Sequence, residues 1–318
     1  MNRKIVLPSL IIFIINVAAS GNSSLSFPGD SPEMGPIGLE GNDTLLMPKM
    51  SFPEGAIGME LFDRLPVYSL NQSIVGFFLF PHHTGASNIS VCISPFDLSL
   101  YLSGYQDTRG FSGKECAKTS LVLNGSDDSN GSIAANGTFF QLSSTSSGMY
   151  SLNFVDENEL SVIISVPLLI TEGQTVMQMP SIVNAEEPYI QVKMNTTVPG
   201  NQNKIFAVVM ISQNDYENSS LDIAKNNTTN SLDITLSLVS KTLQISGPLK
   251  VSSELLMKLL PLLPANSAVG LQESTQSGVD LILLPDKSWE KGEYILTGGI
   301  YSPGKGLLGI TQSEVEVI

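Results

Sequence analysis

The stretch KSWEKGEYILTGGIYSPGKGLLGITQSEVEVI, Lys287 to Ile318, decides the fold. It holds the single tryptophan, Trp289, and a Gly-x-Tyr opening at Gly292 and Tyr294. Tyr294, Leu296, Gly298 and Ile300 then follow at period two. Ser302-Pro303-Gly304 turns the chain, and a second extended run reaches Ile318. Alternation at period two, punctuated by Pro and Gly, is the pattern of a half-buried antiparallel hairpin. A weaker copy lies upstream. Gly148-Met149-Tyr150 opens Tyr150, Leu152 and Phe154; Asp156 to Glu159 turn the chain; Leu160, Val162, Ile164 and Val166 return it. Two closing hairpins predict a mainly β chain of two tandem antiparallel β-sandwiches.

Working outward, Ile74 to Phe80 is a continuous apolar run, suited to a buried strand. Ile89, Val91 and Ile93 alternate, as do Leu98, Leu100 and Leu102, and Leu121 to Leu123 and Thr138 to Leu142 supply two more segments. With the Tyr150 hairpin, residues 51–170 read as a first sandwich with immunoglobulin-like strand spacing. Pro167 to Gln174 form the junction. Residues 171–318 read as a second sandwich, from Ile190-Val192-Met194, Ile205 to Ile211, Leu232 to Leu238, Leu243-Ile245 and Val279 to Leu284. One interruption is helical: Ser252-Ser253-Glu254 resembles an N-cap, and Leu255, Leu256, Leu259 and Leu260 recur at helical spacing until Pro261 and Pro264. That short helix is expected to close one end of the second sandwich, with a partner-binding leucine stripe as the alternative. Residues 21–50, rich in Gly, Pro and Ser, read as a flexible lead-in.

Length and composition set the compartment. A chain of 318 residues with 42% hydrophobic content is ample for two cores. Charged residues are only 14%, and the formal charge is −14. An acidic excess repels phosphate backbones, which excludes nucleic acid as a partner and disfavours anionic membrane surfaces. Divalent cations stay open as weak partners. Asn2-Arg3-Lys4, the apolar Ile5 to Val17 and the small residues Ala18-Ala19-Ser20 have the form of a signal peptide cleaved near residue 20. The apolar stretch is shorter than the roughly 20 residues of a membrane span, so no span is expected in the mature chain. Asn-x-Ser/Thr sequons at Asn22, Asn42, Asn71, Asn88, Asn124, Asn130, Asn136, Asn195, Asn218, Asn226 and Asn227 fit N-glycosylation of exposed loops. A Ser/Thr/Asn-rich surface also produces such matches.

The stretch from Glu187 to Ile318, with AVVMISQNDYENSSL, LPANSAVGLQEST and WEKGEYILTGGIYSPGKGLLGITQSEVEVI, resembles an extracellular domain family of exported methanogenic archaeal proteins. The resemblance implies a secreted or cell-surface β module. It carries no catalytic residues over to this chain.

The chemistry-bearing residues are few. All histidines and cysteines lie between His82 and Cys116. In an exported protein with two cysteines, Cys92 and Cys116 read as a disulfide closing a loop of about 25 residues, worth about 3.5 kcal/mol in the chain-entropy picture. Free thiols and a Cys₂His₂ metal site with His82 and His83 are the alternatives, the latter weakened because adjacent strand residues face opposite ways. Ser126, Asp128, Asn130 and Gly131 mimic a calcium loop, but Gly137 stands where the bidentate acid belongs. Gly304-x-Gly306-x-x-Gly309 spells a dinucleotide fingerprint with too little chain after it, and Gly306 occupies the Ser/Thr position of a P-loop. These glycines read as hairpin-turn residues.

No nucleophile, base or cofactor motif stands out, so no enzyme and no cofactor are expected. The function that follows is a non-enzymatic module of envelope architecture or adhesion, its partners other envelope proteins or glycans. The alternative is an extracellular carbohydrate-binding protein using Trp289, Tyr294 and Tyr301.

Overall fold

The computed structural model describes residues 17–18, 24–27, 37–40, 43–47, 49–51, 64–79, 89–96, 117–120, 137–143, 146–156, 161–226, 231–238, 241–246, 263–285, 289–302 and 305–318. The chain is mainly β. Its earlier strands are β1 (Val17–Ala18), β2 (Ser24–Phe27), β3 (Ile37–Glu40), β4 (Asp43–Leu46), β5 (Lys49–Ser51) and β6 (Arg64–Ser69). Next come β7 (Ser73–Leu79), β8 (Ile89–Pro95), β9 (Ala117–Ser120), β10 (Gly137–Ser143), β11 (Gly148–Asp156) and β12 (Ser161–Thr171). The later half supplies β13 (Thr175–Gln178), β14 (Ile182–Val183), β15 (Ile190–Thr196), β16 (Lys204–Ser212) and the helical turn α1 (Gln213–Glu217). After it run β17 (Ser220–Asn226), β18 (Ser231–Leu238), β19 (Lys241–Ser246), β20 (Ala268–Ser274), β21 (Gly278–Leu283), β22 (Gly292–Ser302) and β23 (Gly306–Val317).

Two sheets build the first half, in the orders β1-β4-β6-β12-β11-β8-β9 and β10-β7-β3-β2. Both contribute to one apolar cluster. Phe78 and Phe140 from the smaller sheet meet Phe154 of β11 edge-on, at ring separations of 5.2 and 5.7 Å. Apolar side chains at alternate positions do this because successive residues of a strand face opposite sides. Residues on the other face of β11 and β8 are buried as well: Asn153 donates to Ser94 Oγ at 2.9 Å and accepts from Ser165 Oγ at 2.7 Å. A buried amide satisfied on both sides is an inexpensive polar insertion.

The second half has sheets β14-β23-β22-β16-β20 and β13-β15-β21, which enclose a separate apolar cluster containing Val192, Met194, Phe206, Leu281, Leu296 and Trp289. A third sheet, β19-β18-β17-β5, joins the two halves, because β5 comes from the N-terminal region.

The two Gly-x-Tyr openings are one backbone device used twice. Gly148 (φ 148°) and Gly292 (φ 143°) occupy the region that L side chains avoid, and each starts a long hairpin strand. Tyr150 and Tyr294 follow, packed against their respective clusters. Each hairpin then carries one register shift, at Phe154/Val155 and at Ile300/Tyr301.

Several expectations are corrected. The Tyr294 hairpin is not half-buried: every residue of β22 from Tyr294 to Ser302 is buried. Tyr294, Leu296 and Ile300 face the second cluster, whereas Ile295, Thr297 and Tyr301 are buried outside it, where β1 and β4 lie against β22 and β23. The pairing is not wholly antiparallel, since β6–β12, β14–β23 and β5–β17 are parallel. Residues 21–50, read as a flexible lead-in, contain β2, β3, β4 and the start of β5; their apolar alternation at Ile37, Leu39 and Leu45 is buried completely. Val17 and Ala18 pair with Leu46 and Leu45 in the full chain, a pairing that cleavage near residue 20 would remove, so the expected leader is not itself corrected. The junction is narrower than Pro167 to Gln174, because β12 continues to Thr171 and only Glu172-Gly173-Gln174 turn. Gly173 N donates to Leu308 O at 3.1 Å there. Leu98–Leu102, Leu121–Leu123 and the Ser252–Leu260 helix lie outside the described residues.

The described helical turn, α1, is one that composition did not announce. Its signal is Ser212-Gln213-Asn214-Asp215: Ser212 Oγ accepts from the Asp215 amide at 3.2 Å and donates to Asp215 Oδ2 at 2.8 Å. The first bond is the N-cap half of a capping box; the Asp215 carboxylate returns to the Ser212 hydroxyl and not to its backbone N–H.

Candidate functional site

The residues proposed from sequence for sugar stacking are core residues. Trp289, Tyr294 and Tyr301 are all buried. Trp289 donates its indole N–H to the Glu187 carbonyl at 3.1 Å, and its ring meets Tyr294 edge-on at 6.3 Å. Burial raises the Tyr294 phenol above its ordinary range, reinforced by the charges of Glu290 and Asp215. Of the three, Tyr294 borders the groove beside α1, with its ring buried.

Strand parity puts a different set on the surface. In β15, Ile190, Val192 and Met194 face the cluster, so Gln191 and Lys193 face out. Tyr189 precedes them on the same parity and is 50% exposed. Across the ladder Gln191 pairs with Ile282 and Lys193 with Asp280, and on the other side Gln178 pairs with Lys193. Above this face runs residues 179–188. Together they bound a groove of about 540 Å³, whose apolar wall is Met179, Ile182 and Tyr189. Gln178, Gln191, Lys193 and Asp280 supply its polar wall. Its size falls within the span of small-ligand sites, about 300–1,000 Å³. The sequence signal was Pro188-Tyr189 directly before an alternating strand, an aromatic out of phase with the buried set.

The loop over the groove is fastened at several points. Ala185 N donates to Ile318 O at 2.9 Å and Ile318 N to Val183 O at 2.9 Å. Glu186 N donates to Asn184 Oδ1 at 3.0 Å, and Glu187 N to Asn184 O at 3.0 Å.

A second groove, of about 420 Å³, lies beside α1, with Asp215, Glu217, Glu290 and Glu293 around Lys291. Glu217 accepts from Gln213 Nε2 at 2.8 Å and Asp215 from Ser212, so two of its acids are engaged in the turn. Among the described residues, no group of His, Cys, Asp and Glu is arranged to hold a metal ion, and no helix is long and apolar enough to cross a membrane.

Cys92 is buried on β8, with Asn153 on one side and Lys118 of β9 on the other. Cys116 immediately precedes β9 and lies outside the described residues, as do His82, His83 and the Ser126–Gly131 segment. Of the sequons, Asn71 and Asn218 are exposed, Asn71 at φ 69° in the β6–β7 turn and Asn218 at the end of α1. Asn195 is partly buried against Gly278, and Thr197 Oγ1 of its sequon accepts from the Gln174 amide at 2.9 Å. Asn226 ends β17; Asn22, Asn42, Asn88, Asn124, Asn130, Asn136 and Asn227 are outside the described residues.

The glycines of the apparent nucleotide fingerprint have other duties. Gly306 (φ 90°) belongs to the β22–β23 turn, as expected. Gly309 lies within β23, where a Cβ would stand 2.0 Å from Thr175 Oγ1 and 3.1 Å from Gly173 O. It is a close-approach residue rather than a turn residue.

No protein-family model and no curated protein matches the chain. Among solved structures it is similar to dimeric latent PorU from Porphyromonas gingivalis, at 12% identity and a TM-score of 0.20. The similarity covers 79% of this chain and 18% of PorU.

Proposed function

We propose that the chain is a non-enzymatic module of the cell exterior, exported and glycosylated, which serves envelope architecture or adhesion. The observation that carries this reading is the way its halves are tied. β4 belongs to a first-half sheet, while β5, a few residues later, pairs with β17 of the second half. β12 enters β13 through a three-residue turn bonded to Leu308. A spacer needs its parts in fixed relation, whereas closure over a substrate needs a hinge that absorbs backbone rotation.

Two immunoglobulin-like sandwiches in tandem are the finer architecture we assign, on the strength of the two clusters and the repeated Gly-x-Tyr hairpin. Support for the location comes from the leader pattern, the exposed Asn71 and Asn218 sequons, and the resemblance of 187–318 to the methanogen extracellular family. The Cys92–Cys116 bridge belongs to the same reading as an expectation for an exported chain; in the structure Cys92 is a buried thiol and stands opposite Lys118. Neighbouring envelope proteins or glycans are the partners, and the net charge of −14 disfavours nucleic acid. Fractionation of source cells with peptide mass spectrometry tests this. The expected result is recovery from envelope or medium, with residues 1–20 removed and glycan on Asn71 or Asn218. Recovery from the cytosol with Met1 retained and unmodified asparagines overturns it.

A further inference from the structure

The geometry points to a binding site for a neutral saccharide in the groove between the outer face of β15 and the 179–188 segment, with Tyr189 as its stacking platform. A pyranose ring has an apolar C–H face and a rim of hydroxyls, so it suits one exposed aromatic beside several uncommitted donors and acceptors. Tyr189 is 50% exposed and Ile182 54%. Gln178 and Gln191, whose amides both donate and accept, flank Lys193 and Asp280. No hydrogen bond or ion pair among the described residues engages any of these four side chains.

The groove is also built before a ligand arrives. The bonds from Ala185 and Ile318 fasten its loop to the residue that follows β23, and Trp289 holds the Glu187 carbonyl from behind. Fixed walls spare a ligand the cost of ordering them. An extended peptide is a poorer occupant, because strand addition needs a free edge and β15 is the middle strand of its sheet. Anionic polymers are opposed by the overall charge of −14.

Trp289, the chain's single tryptophan, lies directly behind the groove and reports on it. The full chain is titrated with cellotriose, mannotriose and chitotriose, and with tetra-alanine as comparator, by tryptophan fluorescence and saturation-transfer NMR. At least one trisaccharide is expected to saturate. Tyr189→Ala is expected to weaken that binding by about tenfold, the scale of losing an aromatic anchor, with an unchanged melting midpoint. Gln191→Ala weakens it less. No saturation by any of the three sugars overturns the inference, as does binding that survives Tyr189→Ala or saturation by tetra-alanine alone. Cell fractionation tests the surface reading separately. Cytosolic recovery with saturable sugar binding sinks that reading and leaves this site standing; flat titrations of an envelope-located chain do the reverse.

Discussion

Tyr216 of α1 donates its hydroxyl to the Leu46 carbonyl at 3.2 Å, a bond that joins chain segments 170 residues apart. The ring is buried, and burial holds the phenol protonated well above its ordinary range. Leu46 ends β4 and lies just before β5, so the bond pins the crossing from one half to the other. Tyr216→Phe removes the donor and strands a carbonyl. The expected loss is about 1–2 kcal/mol in urea unfolding, together with faster proteolysis between β4 and β5. An unchanged unfolding midpoint would refute the role given to this bond.

Asp43, three residues earlier, makes stability depend on pH. Burial pushes its carboxyl up to about 6, only partly opposed by hydrogen bonds from the Thr311 hydroxyl and the Thr44 amide. The folded chain therefore holds this proton more tightly than the unfolded chain. The stabilisation is complete below the ordinary carboxylate range and is lost as pH rises through about 6. Asp43→Asn should stabilise the protein by about 2 kcal/mol at pH 7.5, the scale of a shift of this size, and have little effect at pH 4. Chemical unfolding at the two pH values checks it; equal effects at both would show that ionisation is not the cause.

Gly309→Ala is expected to destabilise by about 2–3 kcal/mol, because its Cβ would overlap Thr175 Oγ1 and crowd the Gly173 carbonyl. Thr175 Oγ1 is buried without a hydrogen-bond partner, so Thr175→Ala alone should cost little. Combining the two should restore most of the loss, a coupling that a double-mutant cycle reads directly. Additive losses would place the strain elsewhere.

Trp289→Ala should cost about 3–5 kcal/mol, the usual penalty for emptying a buried aromatic site. It also frees the Glu187 carbonyl and leaves Tyr294 without its edge-on partner. Thermal unfolding measures the loss. A variant that keeps its melting temperature would return Trp289 to the list of ligand contacts.

The closing hairpins were legible in the sequence because glycine, tyrosine and period-two residues stand close together there. Tyr150 and Tyr294 announce β11 and β22 without any knowledge of distant partners. What the pattern could not show is which strand faces are covered. The alternation of Tyr294, Leu296 and Ile300 implies one wet face, yet Ile295, Thr297 and Tyr301 are buried too. Their cover comes from β1 and β4, more than two hundred residues away in chain order, and local periodicity holds no record of that. The same limit misdirected the site. Trp289 drew notice as a rare residue, and rarity says nothing about exposure. Tyr189 is distinguished only by its parity relative to Ile190, which becomes meaningful once β15 is known to be buried on one side. The short strands β2 to β5 were hidden by the glycines and prolines between them.

The pairing of Lys49–Ser51 with Ser220–Asp222 sets an order on biogenesis. A ribosome releases the first segment long before the second exists, so the nascent N-terminal portion travels with an incomplete sheet. Contacts of such sequence separation form late and slowly. Cutting the gene after Thr171 would therefore not yield two independent products: the C-terminal fragment would present the vacated edge of β17 to any neighbour, and exchange of β5 between full-length copies offers a ready route to intertwined dimers.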